Sequence, residues 1–224
     1  PVLVGASMGG GTSLVATGED HIDATALVMV DIAPQIEPEG VDKIMAFMSQ
    51  KPEGFSSLQE VADAIASYQP HRKAPKNLDG LAKNVREGED GKYRWHWDPQ
   101  FRTIRRDMNK RKERLEACTR NLTLPTLLVR GGLSDVLSEE GAQGFLKLCT
   151  HSEYVNVTDA GHMVAGDRND VFGTSVIEFL SRTVSLFGLK DRNECEHLDV
   201  LGYNETLLLF GKLLICSMKY TFFS

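Results

Sequence analysis

Four short apolar runs, Val2 to Val4, Ala26 to Ile32, Thr126 to Val129 and Tyr154 to Val157, divide the chain, and each runs out into glycine, proline or aspartate. Runs this short, rich in branched residues and bounded by turn formers, predict buried strands rather than helices. The stretches between them carry a different period. Thr12 to Thr17, Val41 to Gln50, Leu58 to Tyr68 and Asn77 to Val85 space their apolar residues as helices do, and Pro70 to Pro75 interrupts the series. From Asp170 to about Leu186, the residues Val171, Phe172, Val176, Ile177, Phe179 and Leu180 fall on one helical face. Strands alternating with helices predict an α/β fold with a mostly parallel sheet. The strands cluster in 1–33 and 118–188, whereas 34–117 reads as a helical insertion between sheet strands. Residues 189–224 form an atypical tail, whose apolar run Leu207 to Cys216 is broken by Lys212 and falls short of the about 20 residues a membrane span needs. The tail reads as a docking helix or as non-native sequence, and membrane attachment is not expected.

Composition acts mainly by exclusion. With 42% hydrophobic and 25% charged residues over 224 positions, the chain reads as a soluble globular protein with a sizeable core. A net charge of −6 and a pI near 5.6 supply no electrostatic footprint for nucleic acid. Cys118, Cys149, Cys195 and Cys216 lie far apart, as isolated thiols in a reducing compartment do, and not as a disulfide frame or zinc site. No signal peptide is visible, so a cytoplasmic location is expected. No His/Cys/Asp/Glu cluster has ligand spacing, and neither a metal nor an organic cofactor is expected. The pattern sets no oligomeric state.

The chemistry begins where the first run enters Gly5-Ala6-Ser7-Met8-Gly9-Gly10 and then a helix. A serine on such a sharp strand-to-helix turn takes a strained backbone conformation, for which the flanking glycines leave room, and its hydroxyl is held out at the strand's carboxyl end. The next backbone N–H, on Met8, then points to where an oxyanion would form, with the helix dipole behind it. Such geometry suits acyl transfer. Downstream, one strand exits through Arg130-Gly131-Gly132-Leu133-Ser134-Asp135, and another through Thr158-Asp159-Ala160-Gly161-His162. Ser7, Asp135 and His162 thus follow one another as Ser, Asp, His, each past the carboxyl end of a strand, where open parallel sheets gather active residues. In this reading His162 takes the Ser7 proton, Asp135 fixes the imidazole tautomer and Met8 supports the oxyanion.

Through Gly5 to Gly10, Arg130 to Asp135 and Asp159-Ala160-Gly161-His162-Met163, the chain resembles the serine-nucleophile branch of the α/β-hydrolase superfamily, over about Pro1 to Leu186. That branch includes carboxylic-ester hydrolases, carbon–carbon bond hydrolases and perhydrolases. Serine at position 7, where related dehalogenases and epoxide hydrolases carry aspartate, argues against those two chemistries. The resemblance implies a cofactor-free serine hydrolase for a small carboxylic ester or related carbonyl substrate, with 34–117 as a cap over the site. Trp95 and Trp97, in the aromatic stretch Gly91 to Phe101, are either pocket wall or packing between cap and main domain. The superfamily places its acid after either of two strands, which makes Asp31 a competitor of Asp135. The Leu-Ser-Asp loop matches the acid position more closely, so Asp135 is preferred and Asp31 is read as the exit to the cap; Asp159 lies too near His162 to orient it. Members of the superfamily also carry strands, and a loop beginning His-Gly with a second oxyanion donor, ahead of the elbow. This chain starts inside the elbow strand at Pro1 and is read as amino-terminally truncated, a loss of one donor that costs about 10² to 10³ in turnover. Two other readings stay open: a catalytically silent ligand-binding protein on the same fold, and a non-functional fragment of hydrolase ancestry.

Overall fold

In the computed structural model, which describes residues 1–71, 78–102 and 107–184, the elements alternate much as the apolar pattern predicts. Along the chain run β1 (Val2–Ala6), α1 (Met8–Gly18), β2 (Ala26–Val30), α2 (Pro38–Met48), α3 (Leu58–Tyr68), β3 (Val85–Glu87), β4 (Tyr93–Trp95), α4 (Met108–Asn121), β5 (Thr126–Gly131), α5 (Glu139–Leu148), β6 (Glu153–Val157), α6 (Val164–Asp167) and α7 (Asn169–Thr183). Four strands form a parallel sheet in the order β1-β2-β5-β6. Ala6 is in register with Val30, Val30 with Val129, and Gly131 with Val157, so the strand exits line one edge of the sheet.

All five residues of β2 are buried, because strands flank both its edges and helices cover both its faces. The two-residue period of the strand divides them. Leu27 and Met29 pack with Leu14 of α1, Leu115 and Cys118 of α4 and Phe145 of α5. Val28 and Val30 pack with Val157, Val164 and Phe179 on the other face. Removing side chains of this size from water contributes about 1.5–3 kcal/mol each.

Two expectations about the insertion change. Helix α4 belongs to the main body: a Cβ on Gly18 would lie 2.6 Å from Cα of Cys118, and Leu115 and Cys118 are buried beneath α1. Its start is set by Asp107, whose side chain accepts the N–H groups of Asn109 and Lys110. The insertion therefore closes before Met108, not at 117. Nor does a helix continue to Val85: Asp79–Lys83 is a 3-10 turn, and β3 pairs antiparallel with β4 around Gly91, whose φ is +70°. The insertion has a core of its own in Phe47, Phe55, Val61, Ile65, Leu81 and Val85. The tail 189–224, with Cys195 and Cys216, lies outside the described residues. Among the described residues no helix is long and apolar enough to cross a membrane.

Candidate active site

Ser7 sits between β1 and α1 with φ +49° and ψ −121°, a conformation that strains any residue bearing a Cβ. Its own N–H donates to the Val30 carbonyl at 2.9 Å, tying the turn to the neighbouring strand. The glycines around it answer to close approach. A Cβ on Gly5 would fall 2.5 Å from the Gly9 carbonyl oxygen, and one on Gly10 would fall 2.5 Å from Ile32 Cγ2 and 2.6 Å from the Gly5 oxygen. Met8, the first residue of α1, follows directly.

The Ser7 hydroxyl lies 3.0 Å from Nε2 of His162, and Nδ1 of His162 lies 2.7 Å from Oδ2 of Asp31. A carboxylate only accepts, so Nδ1 carries the proton and Nε2 is left to accept from Ser7. The imidazole is nearly enclosed, at 9% exposure, and the Asp31 side chain is fully buried. Two further donors reach this carboxylate: the Gly131 N–H at 2.8 Å on Oδ1 and the Ser134 hydroxyl at 2.5 Å on Oδ2. Ser134 Oγ in turn accepts the N–H groups of Val136 and Leu137, at 3.1 and 3.2 Å, which commits its own proton to Asp31. The buried charge is thereby met on both oxygens, as a desolvated carboxylate requires.

The carboxylate facing His162 is therefore that of Asp31, and not that of Asp135. Asp135 turns toward the insertion, where its Oδ2 accepts from Lys43 Nζ of α2 at 2.9 Å. A Cβ on Gly40 would lie 2.1 Å from the Asp135 carbonyl oxygen, so the backbone of α2 is pressed against this loop. Burial, reinforced by Asp135, pushes the Tyr68 phenol up to about 12. The reason for the difference is positional. β2 lies between β1 and β5, so its exit places Asp31 between the Ser7 turn and the loop after β5, and Ser134 is the residue of that loop that reaches inward.

The double glycine of that loop lets it lie against the histidine loop. A Cβ on Gly131 would meet the Gly161 oxygen at 2.1 Å, one on Gly132 the Thr158 oxygen at 2.6 Å, and the Leu133 N–H donates to Ala160 at 2.8 Å. Arg130 braces the same loop through the Leu137 carbonyl and the Asn156 side chain. Asp159 pairs with Arg168, away from His162. Trp95 and Trp97 stack on one another at 4.7 Å, and among the described residues Phe47 lies against both rings and Phe55 against Trp95, both within the insertion. Among the described residues no group of three or more His, Cys, Asp or Glu side chains is placed to hold a metal ion. Sequence reasoning ranked Asp31 second and gave Ser134 no role. The signal that singles out Asp31 is a lone charge inside an apolar run, Val30-Asp31-Ile32-Ala33, whose burial demands donors.

No protein-family model matches the chain. It is 27% identical over 170 residues to the 3-hydroxybutyrate-oligomer hydrolase of Cupriavidus necator, covering 70% of this chain and 57% of that protein. It is 29% identical over 178 residues to an esterase of Mycobacterium tuberculosis, covering 74% of this chain and 56% of the esterase. The chain thus spans a little over half the length of these relatives. Among solved structures, E-2-(acetamidomethylene)succinate hydrolase superposes with a TM-score of 0.70 at 22% identity, over 80% of this chain and 66% of that one. An α/β hydrolase from Novosphingobium aromaticivorans gives 0.61 at 22% identity, over 81% and 65%. What these structures share with the chain is a fold.

Proposed function

We propose that the chain, whose fold is shared with α/β hydrolases, is a serine hydrolase of carboxylic esters, with Ser7 as nucleophile, His162 as general base and Asp31 as the acid that orients it. The observation that carries this reading is the unbroken hydrogen-bonded chain from Asp31 through both nitrogens of His162 to the Ser7 hydroxyl. His162 takes the serine proton as Oγ attacks the carbonyl, and Asp31 holds the tautomer and stabilises the imidazolium that forms. The Met8 N–H, at the start of α1, supports the oxyanion. His162 returns the proton to the departing alcohol, an acyl-enzyme remains, and water activated by the same imidazole releases the acid. Every step is carried by side chains and backbone N–H groups, so the reaction calls on no cofactor.

Esters are preferred over other carbonyl substrates because one relative is named an esterase and the other a hydrolase of 3-hydroxybutyrate oligomers. The insertion, from α2 through the β3–β4 hairpin, serves as the cap that shapes the acyl and alcohol pockets. A fluorophosphonate probe tests the proposal on the wild-type chain and Ser7→Ala, with the modified peptide mapped by mass spectrometry. The expected result is a single adduct on Ser7, absent in Ser7→Ala. A folded wild-type chain that carries no adduct, or an adduct elsewhere, overturns it.

A further inference from the structure

Asp167, the last residue of α6, turns back onto the histidine loop: its Oδ2 accepts the Gly161 N–H at 2.8 Å, one residue before His162. Its side chain is only 3% exposed. The same oxygen lies 3.3 Å from Nε2 of His71, which follows α3 in the insertion. A Cβ on Gly161 would lie 3.4 Å from His71 Cε1, an ordinary contact distance, so the His71 ring lies beside the backbone just before His162. The carboxylate offers only acceptors, and both N–H groups donate to it. It holds the Ala160–Gly161 peptide, one residue short of His162, and His71 is one of the groups that hold the carboxylate.

Building on the proposed hydrolase reading, we infer that His71 and Asp167 are positioning residues through which the seating of the insertion sets the place of the His162 imidazole. The insertion then acts on the base as well as on the substrate. With His71 in place, Asp167 holds Gly161 and the imidazole stays in line between Asp31 and Ser7. With His71 withdrawn, the carboxylate loses one of its donors, the loop 158–162 gains freedom, and Nε2 drifts from the serine hydroxyl. Neither residue touches the reacting atoms, so the effect falls on the rate of proton transfer.

The test compares wild type with His71→Ala and His71→Gln in the full chain, since a glutamine amide can place an N–H near the position of Nε2. Two readouts are used: Ser7 phosphonylation across fluorophosphonate concentrations, and the low-field proton resonance of His162 Nδ1–H. His71→Ala is expected to slow the saturated labelling rate about tenfold while the half-saturating concentration stays within about twofold, the pattern of a displaced base rather than an altered pocket. His71→Gln is expected to recover most of the rate, and the resonance is expected to broaden or move in His71→Ala and return in His71→Gln. An unchanged saturated rate in His71→Ala, or a loss confined to the half-saturating concentration, overturns the inference. A wild-type chain that does not label at Ser7 overturns the hydrolase reading instead. The resonance, which needs no reaction, then decides the positioning role alone: identical signals in wild type and His71→Ala overturn it.

Discussion

Replacing Asp31 by asparagine separates the two candidate acids with the least change of shape. Three donors converge on its carboxylate: the Gly131 N–H at 2.8 Å on Oδ1, and the Ser134 hydroxyl at 2.5 Å and His162 Nδ1 at 2.7 Å on Oδ2. An amide has one accepting oxygen and one NH₂, so it cannot accept at both positions. With its oxygen on Gly131, the NH₂ faces His162; the imidazole must then accept at Nδ1, the proton moves to Nε2, and the base facing Ser7 is gone. With its oxygen on His162, the NH₂ is pressed against the Gly131 N–H, and a buried donor left without an acceptor costs about 1–3 kcal/mol. In a Ser-His-Asp triad such as the one proposed, a wrong tautomer costs about 10⁴ in turnover. Asp31→Asn is therefore expected to lose about 10³ to 10⁴ of kcat for p-nitrophenyl acetate, and to unfold at lower temperature. Asp135→Asn removes only an ion pair whose partners are 62% and 43% exposed. Such pairs contribute about 0.2–1 kcal/mol, so this variant is expected to keep its turnover within about threefold. A large loss in Asp135→Asn beside a mild one in Asp31→Asn would refute the assignment.

Gly10→Ala places a methyl 2.5 Å from Ile32 Cγ2 and 2.6 Å from a backbone oxygen, so α1 has to lift from β1. Overpacking of this kind costs about 1–3 kcal/mol, and a urea midpoint equal to wild type would contradict the close crossing. Tyr68 predicts an alkaline limb in stability. Burial keeps its phenol neutral up to about pH 12 in the folded chain, against an ordinary value of 10.0. Between those values the unfolded chain has released a proton that the folded chain still binds, so stability falls as pH rises through that window. Tyr68→Phe should flatten this part of the curve, as followed by chemical unfolding at stepped pH; an unaltered slope would refute the shift.

The fold is legible where local pattern and tertiary demand agree. β2 declares itself by an apolar run that a strand covered on both faces requires, and α3 runs between its predicted limits because Ser57 caps it by accepting the Glu60 N–H. The stretch after Leu78 misleads, since the spacing of Leu78, Leu81 and Val85 suits a helix as well as a 3-10 turn followed by a strand, and the deciding partner, Tyr93–Trp95, lies outside the local window. Helix α4 misleads in another way. Its charged residues look like a solvated face of the insertion, while the few apolar ones, Leu115 and Cys118, are what the main body buries.

The site divides along the same line. Ser7 and His162 stand out because glycine-bounded turns mark them locally, whereas the ranking of two aspartates depends on which strand exits face each other in space. The loop after β5 does reach the site, but through Ser134, so a motif that points to this loop is right about the loop and one residue off in the side chain. Solvation is the better guide. Val30, Asp31, Ile32 and Ala33 are 2%, 0%, 3% and 0% exposed, and a carboxylate in such surroundings costs several kcal/mol unless donors surround it. Asp135, 43% exposed and paired with Lys43, requires no buried donors of the fold. Asp31 requires the Gly131 N–H, the Ser134 hydroxyl and the imidazole, and a chain that keeps a charge where it needs three donors holds the histidine among them in a fixed orientation.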